Sequence, residues 1–448
     1  MQIWILTEER PKTEVIEKIL EKLQNDGHVD VHFDCLRLLP VFEESVFQFR
    51  YMVKGVDVET IIKIVEGDSG SFLDYLVFCE DSEPNENSTP VYSIEETKTT
   101  PAESRNVAVY QRLTKFVFID MFEKMRYSKK IMLYNLRTSH STIPKTVEFG
   151  MTIIKTMGVE IIGYEFKSPE FKNLDDLIES KNAIISKRKD NVPICISKIN
   201  SKTVRITGKL EKSGRLGHDP NIGAITGISK AITRLDPTIN RIIVGEHKLS
   251  QNGIGRTNKF LKIANELKIE LEGIKIPETS PGNTYWKYSN SGEKIASILF
   301  HLILEYCNVS VIYENHAGCE QGYFMYPDES LKPIKKTTSK PDIIFQHDGI
   351  IYLIEAEKSE NVFKKGMGIS QLDKFDSVES EYCNSYSNHS CERYVIAYGD
   401  TISQDDLDNS KDILFQLTTG GTIMFSKHCK EWIKDLIYDL TKNNHSET

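Results

Sequence analysis

Apolar and polar positions along the chain switch repeatedly between a helical period and short alternating or continuous apolar runs, the signature of helices interleaved with strands. QIWIL at 2–6 and DVHFD at 30–34 read as strands. Between them Thr13 to Leu23 is helical, gathering Val15, Ile16, Ile19, Leu20 and Leu23 on one side. A helix is predicted over Val56–Val65, a strand over Phe72–Phe78, then the polar loop EDSEPNENSTP and a strand over Val91–Ile94. Tyr110–Met125 reads as a helix and His140–Pro144 as a hinge. Further on, strands are predicted over Val159–Tyr164, Pro193–Ile199, Thr203–Ile206 and Arg241–Val244, with a helix over Asn221–Leu235 capped by Asn221. Residues 278–292, ETSPGNTYWKYSNSG, have the composition of an exposed connection. The helix Glu293–Tyr306 carries Ile295, Ile298, Leu299, Leu302 and Ile303 on one face, and strands follow over Asp342–Gln346 and Ile350–Ile354. The expected fold class is therefore α/β, with strands and helices interleaved. Three segments are expected: 1–140, a middle segment 141–285, and 286–448.

Length and composition narrow the classes. At 448 residues the chain is too long for one ordinary domain. With 39% hydrophobic and 27% charged residues it is neither a disordered tail nor a disulfide mini-protein. No apolar run is long enough to span a membrane. MQIWILTEERPK has no basic lead and no small-residue cleavage site, so it reads as a first strand and the protein as cytoplasmic. The eight cysteines contain no CxxC pair, which favours reduced, packed thiols. Cys383, His389, Cys391, His428 and Cys429 have spacings too irregular for a zinc motif.

The net charge of −9 argues against nucleic acid until its distribution is examined. Lys181–Lys275 holds 19 basic and 8 acidic residues, an excess of +11 that leaves −20 for the rest. A basic middle between acidic ends suggests a surface for a polyanion.

Two constellations suggest chemistry. In the first, Asp74 lies in an apolar run and Glu96 and Lys98 follow on the next strand, two apart and so on one face. Carboxylates brought together in a partly buried place repel, and a hard cation such as Mg2+ resolves the repulsion. Such a metal polarises a phosphodiester and activates water, and Lys98 is placed to stabilise the developing charge. In the second, Pro341-Asp342 opens a strand, and Glu355 and Glu357 share a face of the next. Lys358 points the other way unless a bulge turns it. Gln371 begins a helical SQLDKF.

These residues resemble the PD-(D/E)xK nuclease superfamily, and within it type II restriction endonucleases. Asp74…Glu96-Thr97-Lys98 matches the acidic and lysine positions without the proline. Pro341-Asp342…Glu355-Ala356-Glu357 matches the Pro-Asp, with Glu where lysine is usual. The resemblance covers roughly residues 60–130 and 290–375. It implies a restriction-endonuclease-like mixed α/β fold of central mixed β-sheets flanked by helices, Mg2+ as cofactor, double-stranded DNA as substrate, and metal ligation by Asp74 and Glu96, by Asp342 and Glu355, or by both sets, each then cutting one strand. Lys98 and Glu357 complete the two catalytic sets. The Asp74 set, which has its lysine, is expected to be essential. A Glu from the helix ahead of the second site sometimes completes the metal site in this family, but Glu293 reads here as an exposed helix end.

DNA contacts are expected from Arg105 and Arg112, from Lys212 and Arg215 in KSGRLGHDPN, and from Asn252, Arg256 and Lys259 in QNGIGRTNK. His316 reads as part of a packed loop. A homodimer fits the class. The same residues also suit a DNA-binding or regulatory protein in which one or both nuclease-like domains are inactive.

Overall fold

The computed structural model describes residues 1–67, 72–97, 108–134, 145–163, 169–187, 194–208, 220–247, 249–251, 259–280, 282–289, 292–316, 323–327, 331–333, 338–386 and 389–443. It is a mixed α/β protein whose sheets contain both parallel and antiparallel neighbours and are flanked by helices. The chain divides into two compact units. One comprises Met1–Val65, Cys79–Ser82 and Tyr288–Thr448, the other Glu66–Phe78 and Glu83–Lys287. This grouping differs from three consecutive segments, because the first 65 residues belong with the C-terminal part of the chain. Among the described residues no helix is long and apolar enough to cross a membrane.

In the first unit, Gln2–Thr7 runs parallel to Thr60–Gly67, which pairs antiparallel with Val46–Val56 and through it with Phe33–Glu43. The helix predicted over 56–65 is thus a strand over its second half. Thr60, Ile61, Ile62, Ile64 and Val65 are β-branched and buried. A strand covered on both faces reads as a continuous apolar run, which a helical period mimics over this length.

The same unit holds a six-stranded sheet in the order Ser310–Glu314, Ile343–His347, Ile350–Lys358, Ser390–Tyr398, Ile413–Leu417, Ile423–Phe425. Ile343–His347 and Ile350–Lys358 are joined by Asp348-Gly349, both at positive φ (47° and 74°). An Asp-Gly pair with both residues left-handed is the two-residue turn that suits the twist of a hairpin. Such a turn fixes the register. Counting back from His347 opposite Ile350, it sets Ile343 opposite Ile354 and hence Asp342 opposite Glu355. The next pairing, Ile350–Lys358 with Ser390–Tyr398, is parallel, and its crossover is helical: Ile369–Leu372, a 3-10 turn Asp373–Phe375, and Asp376–Ser385. Helix Glu293–Tyr306 packs on this sheet, its Phe300 ring 5.9 Å from Phe345 and 5.2 Å from Phe415. Every residue from Ile295 to Leu304 is buried, so the face that sequence leaves polar, with Ser297 and His301, is inside as well.

The second unit repeats part of that plan. Tyr75–Glu80 pairs antiparallel with Tyr92–Thr97, which runs parallel to Lys129–Tyr134, itself parallel to Glu160–Ile162. The crossover from Tyr92–Thr97 to Lys129–Tyr134 includes helix Ala108–Ile119. A four-stranded sheet, Ile269–Leu271, Arg241–Gly245, Thr203–Thr207 and Cys195–Asn200, lies in the same unit with helices Lys145–Thr156, Leu174–Lys187, Pro220–Leu235 and Lys259–Glu266.

Candidate active site

Both units place an aspartate just before one strand and a glutamate opposite it on the antiparallel neighbour. In the first unit Asp342 Oδ2 accepts the Ala356 amide at 2.8 Å. In the second Asp74 Oδ2 accepts the Glu96 amide at 2.6 Å. Each aspartate therefore ties the end of its hairpin ladder through one carboxylate oxygen. The registers make Glu95 the counterpart of Glu355, since Tyr75 faces Ile94 and Ile343 faces Ile354. Glu95, rather than Glu96, shares a face with Asp74; Glu96 contributes its amide there, and its side chain falls on the opposite face by strand alternation.

The Asp74 site is closed. Asp74 and Glu95 are 7% and 2% exposed. Lys115, from helix Ala108–Ile119, sits 2.8 Å from Glu95 Oε2 and 3.4 Å from Asp74 Oδ1. Arg112 comes within 3.4 Å of Glu95 Oε1, and its Nε donates to the Glu96 carbonyl at 3.3 Å. Burial disfavours the Lys115 ammonium, but Asp74 and Glu95 outweigh it and hold its pKa above the usual lysine value. Burial, and then the Asp74 charge, push the Glu95 carboxyl up to about 7 against the opposing Lys115 and Arg112 charges. Arg112, expected to meet DNA, is committed to this inward contact.

The Asp342 site is more open, and among the described residues no cation is paired directly with its carboxylates. Glu355 is 6% exposed, while Asp342, Glu357 and Glu293 are half-buried. Burial, then Glu355, Glu293 and Glu357, raise the Asp342 carboxyl well above the ordinary range. Burial, with Glu357 and Glu293, pushes Glu355 up to about 7 against the opposing Gln371 hydrogen bond. Gln371 Nε2 donates to Glu355 Oε1 at 2.5 Å, and Lys374 Nζ donates to Gln371 Oε1 at 3.3 Å. Glu355 Oε2 and Glu293 Oε2 are buried with no hydrogen-bond partner. Among the described residues no lysine or arginine forms an ion pair with any of these four carboxylates. Glu293, read from sequence as an exposed helix end, thus belongs to the cluster. Ile350–Lys358 keeps an unbroken register with its parallel neighbour through Lys358. No bulge turns Lys358 inward, and it is exposed on the other face.

Gln371 is aimed by a turn that only glycine suits. Gly368 has φ 47°, its carbonyl accepts the Gln371 amide at 2.9 Å, and a Cβ there would run into the Val362 backbone. The donors here are carboxylate oxygens, two of them buried and unpartnered, and their like charges repel, which is the kind of oxygen set a hard cation takes.

Of the other expected residues, Lys98, Arg105, Lys212, Arg215, Asn252 and Arg256 lie outside the described residues. Lys259 begins helix Lys259–Glu266, and its side chain is not among those described. Several described basic residues of the middle segment are held by carboxylates: Arg205 by Glu272 at 2.8 Å, Arg241 by Glu270 at 2.7 Å, Lys198 by Asp175 at 2.6 Å, Lys230 by Asp120 at 2.9 Å. Cys35, Cys79, Cys195, Cys307 and Cys429 are free thiols. Cys391 is in a disulfide, which departs from the expectation of reduced thiols and removes it as a metal ligand.

No protein-family model, no curated protein and no solved structure matches this chain.

Proposed function

We propose that this protein is a Mg2+-dependent endonuclease acting on double-stranded DNA, in the manner of a sequence-specific type II restriction enzyme, and that its catalytic centre is Asp342, Glu355, Glu357 and Glu293. The observation that carries the reading is the cluster itself: four carboxylates near enough for Glu293 and Glu357 to raise the pKa values of Asp342 and Glu355, with Glu355 Oε2 and Glu293 Oε2 buried and unpartnered. Such a cluster is costly without a cation and complete with one. Asp342 and Glu355 would hold the metal, with Glu357 and Glu293 at its flanks. Bound there, Mg2+ supplies Lewis acidity to a phosphoryl oxygen and a more acidic water. The chain's own residues prepare that chemistry. Asp342 is fixed by the Ala356 amide, and Gln371 takes Glu355 Oε1 so that Oε2 stays available. Lys374 orients Gln371 and brings positive charge near a phosphate, in place of the lysine missing after Ala356.

On this reading the Asp74 site is a non-catalytic copy, because Lys115 occupies the position a metal would need. That reverses the weighting suggested by Lys98. A single cutting centre per chain implies that both strands are cut by a homodimer. The basic residues between 181 and 275 would supply the phosphate contacts.

The test is plasmid DNA incubated with Mg2+, with Ca2+ and with EDTA. Discrete fragments with Mg2+, binding without efficient cutting in Ca2+, and no cutting in EDTA are expected. Retained DNA binding with no cleavage at any Mg2+ or Mn2+ concentration would instead favour a regulatory protein with inactive nuclease-like units.

A further inference from the structure

The polar stripe of helix Glu293–Tyr306, buried at Ser297 and His301, continues beyond Glu293. Ser297, His301 and Glu305 follow at four-residue steps, so all four lie on one line along the helix. Strand Ser310–Glu314 brings Glu314 and, two residues on, His316 against that line. His301 and His316 are 2% and 4% exposed.

The outer hydrogen bonds suit one assignment of the ring protons. The Ser297 hydroxyl donates to the Lys294 carbonyl at 3.1 Å, so its oxygen accepts from His316 Nδ1 at 2.9 Å. Glu305 Oε1 lies 3.3 Å from His301 Nε2, and a carboxylate there accepts. With each outer nitrogen donating, the inner nitrogens of the neutral rings both present lone pairs. Yet His301 Nδ1 and His316 Nε2 face each other at 3.0 Å. Glu314 Oε2 joins them at 3.7 Å from the first and 3.4 Å from the second. Three acceptors thus converge on one point. A shared proton would bridge the two nitrogens alone, without Glu314 Oε2, which Arg10 holds beside them. A metal ion satisfies all three.

We propose that His301, His316 and Glu314 form a second metal site, of a kind different from the carboxylate cluster, that takes Zn2+. Two imidazoles and one carboxylate suit a borderline-soft ion better than Mg2+. Ligands about 2.0–2.1 Å from a tetrahedral zinc stand about 3.3–3.4 Å apart. The three observed separations bracket that spacing. The outer partners are those of a zinc site: a carboxylate on one ring, a hydroxyl on the other, and Arg10 holding Glu314 Oε2 at 2.5 Å. Arg10 also holds Glu305, and Lys12 stands 3.9 Å from Glu314, so the two carboxylates balance these cations. A fourth position is left for water. The role is positioning: Asn315, between the two strand ligands, donates its amide to the Asp342 carbonyl at 2.7 Å. Zinc would pin the strand end against which Asp342 is set.

The inference stands apart from the nuclease reading, and its test needs no DNA. The full chain, stripped with chelator, is titrated with Zn2+ and with Co2+, alongside Glu355→Ala to remove the carboxylate site. One equivalent of Zn2+ per chain is expected in both, with the strong visible bands of a nitrogen-ligated tetrahedral Co2+. His301→Gln combined with His316→Gln should weaken Zn2+ more than about 100-fold, since losing even an outer partner costs 10–100-fold. No cobalt bands in the wild-type chain, or zinc retained by the double histidine variant, would overturn the proposal. The wild-type spectrum decides the matter even if that variant fails to fold.

Discussion

The two units solve the same electrostatic problem in different ways. Each sets an aspartate against a glutamate across an antiparallel pair and follows with a helical crossover to a parallel strand. In one, the crossover sends in Lys115, which lies between the carboxylates and seals them. In the other it sends in Gln371, which steadies one oxygen of Glu355 and neutralises nothing. A lysine makes the pair a structural ion cluster, whereas a glutamine leaves the carboxylates without a counter-charge from that helix. On the proposed reading, the difference between a site and its copy lies in the crossover helix more than in the carboxylates.

The largest effect that would sharpen this contrast is on stability. Lys115→Met leaves Asp74 and Glu95 buried with only Arg112 beside Glu95, and removing one partner of a buried ion pair costs about 3–5 kcal/mol. Denaturant unfolding should show a loss of that order, recovered in part by adding Glu95→Gln. A loss below about 1 kcal/mol, the scale of an exposed ion pair, would mean that the lysine does not seal the site.

Next in size is cleavage. Glu355→Ala should lower the Mg2+-dependent rate by about 10²–10³-fold, the range for removing one group that stabilises transition-state charge. Glu95→Gln, assayed on the same plasmid, should leave the rate nearly unchanged. The opposite ranking would exchange the roles of the two units.

A third measurement uses pH. The folded-state pKa of Glu355 is raised from 4.5 to about 7. A raised carboxyl contributes most below its unfolded value and loses that contribution as pH rises through its folded value. In chelator, unfolding free energy should therefore fall between about pH 4.5 and 7, by on the order of 3 kcal/mol for this group. Mg2+ should flatten the slope, and so should Glu355→Gln. A metal-free profile identical to that of Glu355→Gln would show that the cluster stores no such strain.

The smallest expected effect is at Gly368. Alanine there forces a left-handed φ on a residue with a Cβ, at a cost of about 1–3 kcal/mol, and moves Gln371. The proposed catalytic unit should lose activity by more than its stability change explains. Unchanged activity would remove Gln371 from the site.

Much of the second site was legible. The apolar runs around Asp348-Gly349 mark a hairpin, Pro341-Asp342 marks a strand start, and Glu355 and Glu357 fall at the strand period. The first site was misregistered because no two-residue turn joins Tyr75–Glu80 to Tyr92–Thr97, so Glu95 and Glu96 were equally eligible opposite Asp74. Lys115 and Gln371 reach their sites from helices that follow the motif strands, and spacing within a strand says nothing about them. Glu293 and His301 were hidden by their helix. An apolar face was visible, but burial of the polar face depends on what the sheet and Ser310–Glu314 bring to it. The four-residue stripe Glu293, Ser297, His301, Glu305 was the signal that would have found them.

The hydrogen bond that each aspartate accepts from a backbone amide has a consequence for how such proteins change over generations. Asp342 and Asp74 both close a strand ladder, so each has a mechanical task that survives the loss of any chemistry. A duplicate released from cutting would keep its aspartate for the sake of the hairpin while its crossover helix drifted toward a lysine. Ancestry is then written in the aspartate, and employment in whatever side chain the next helix lowers onto it.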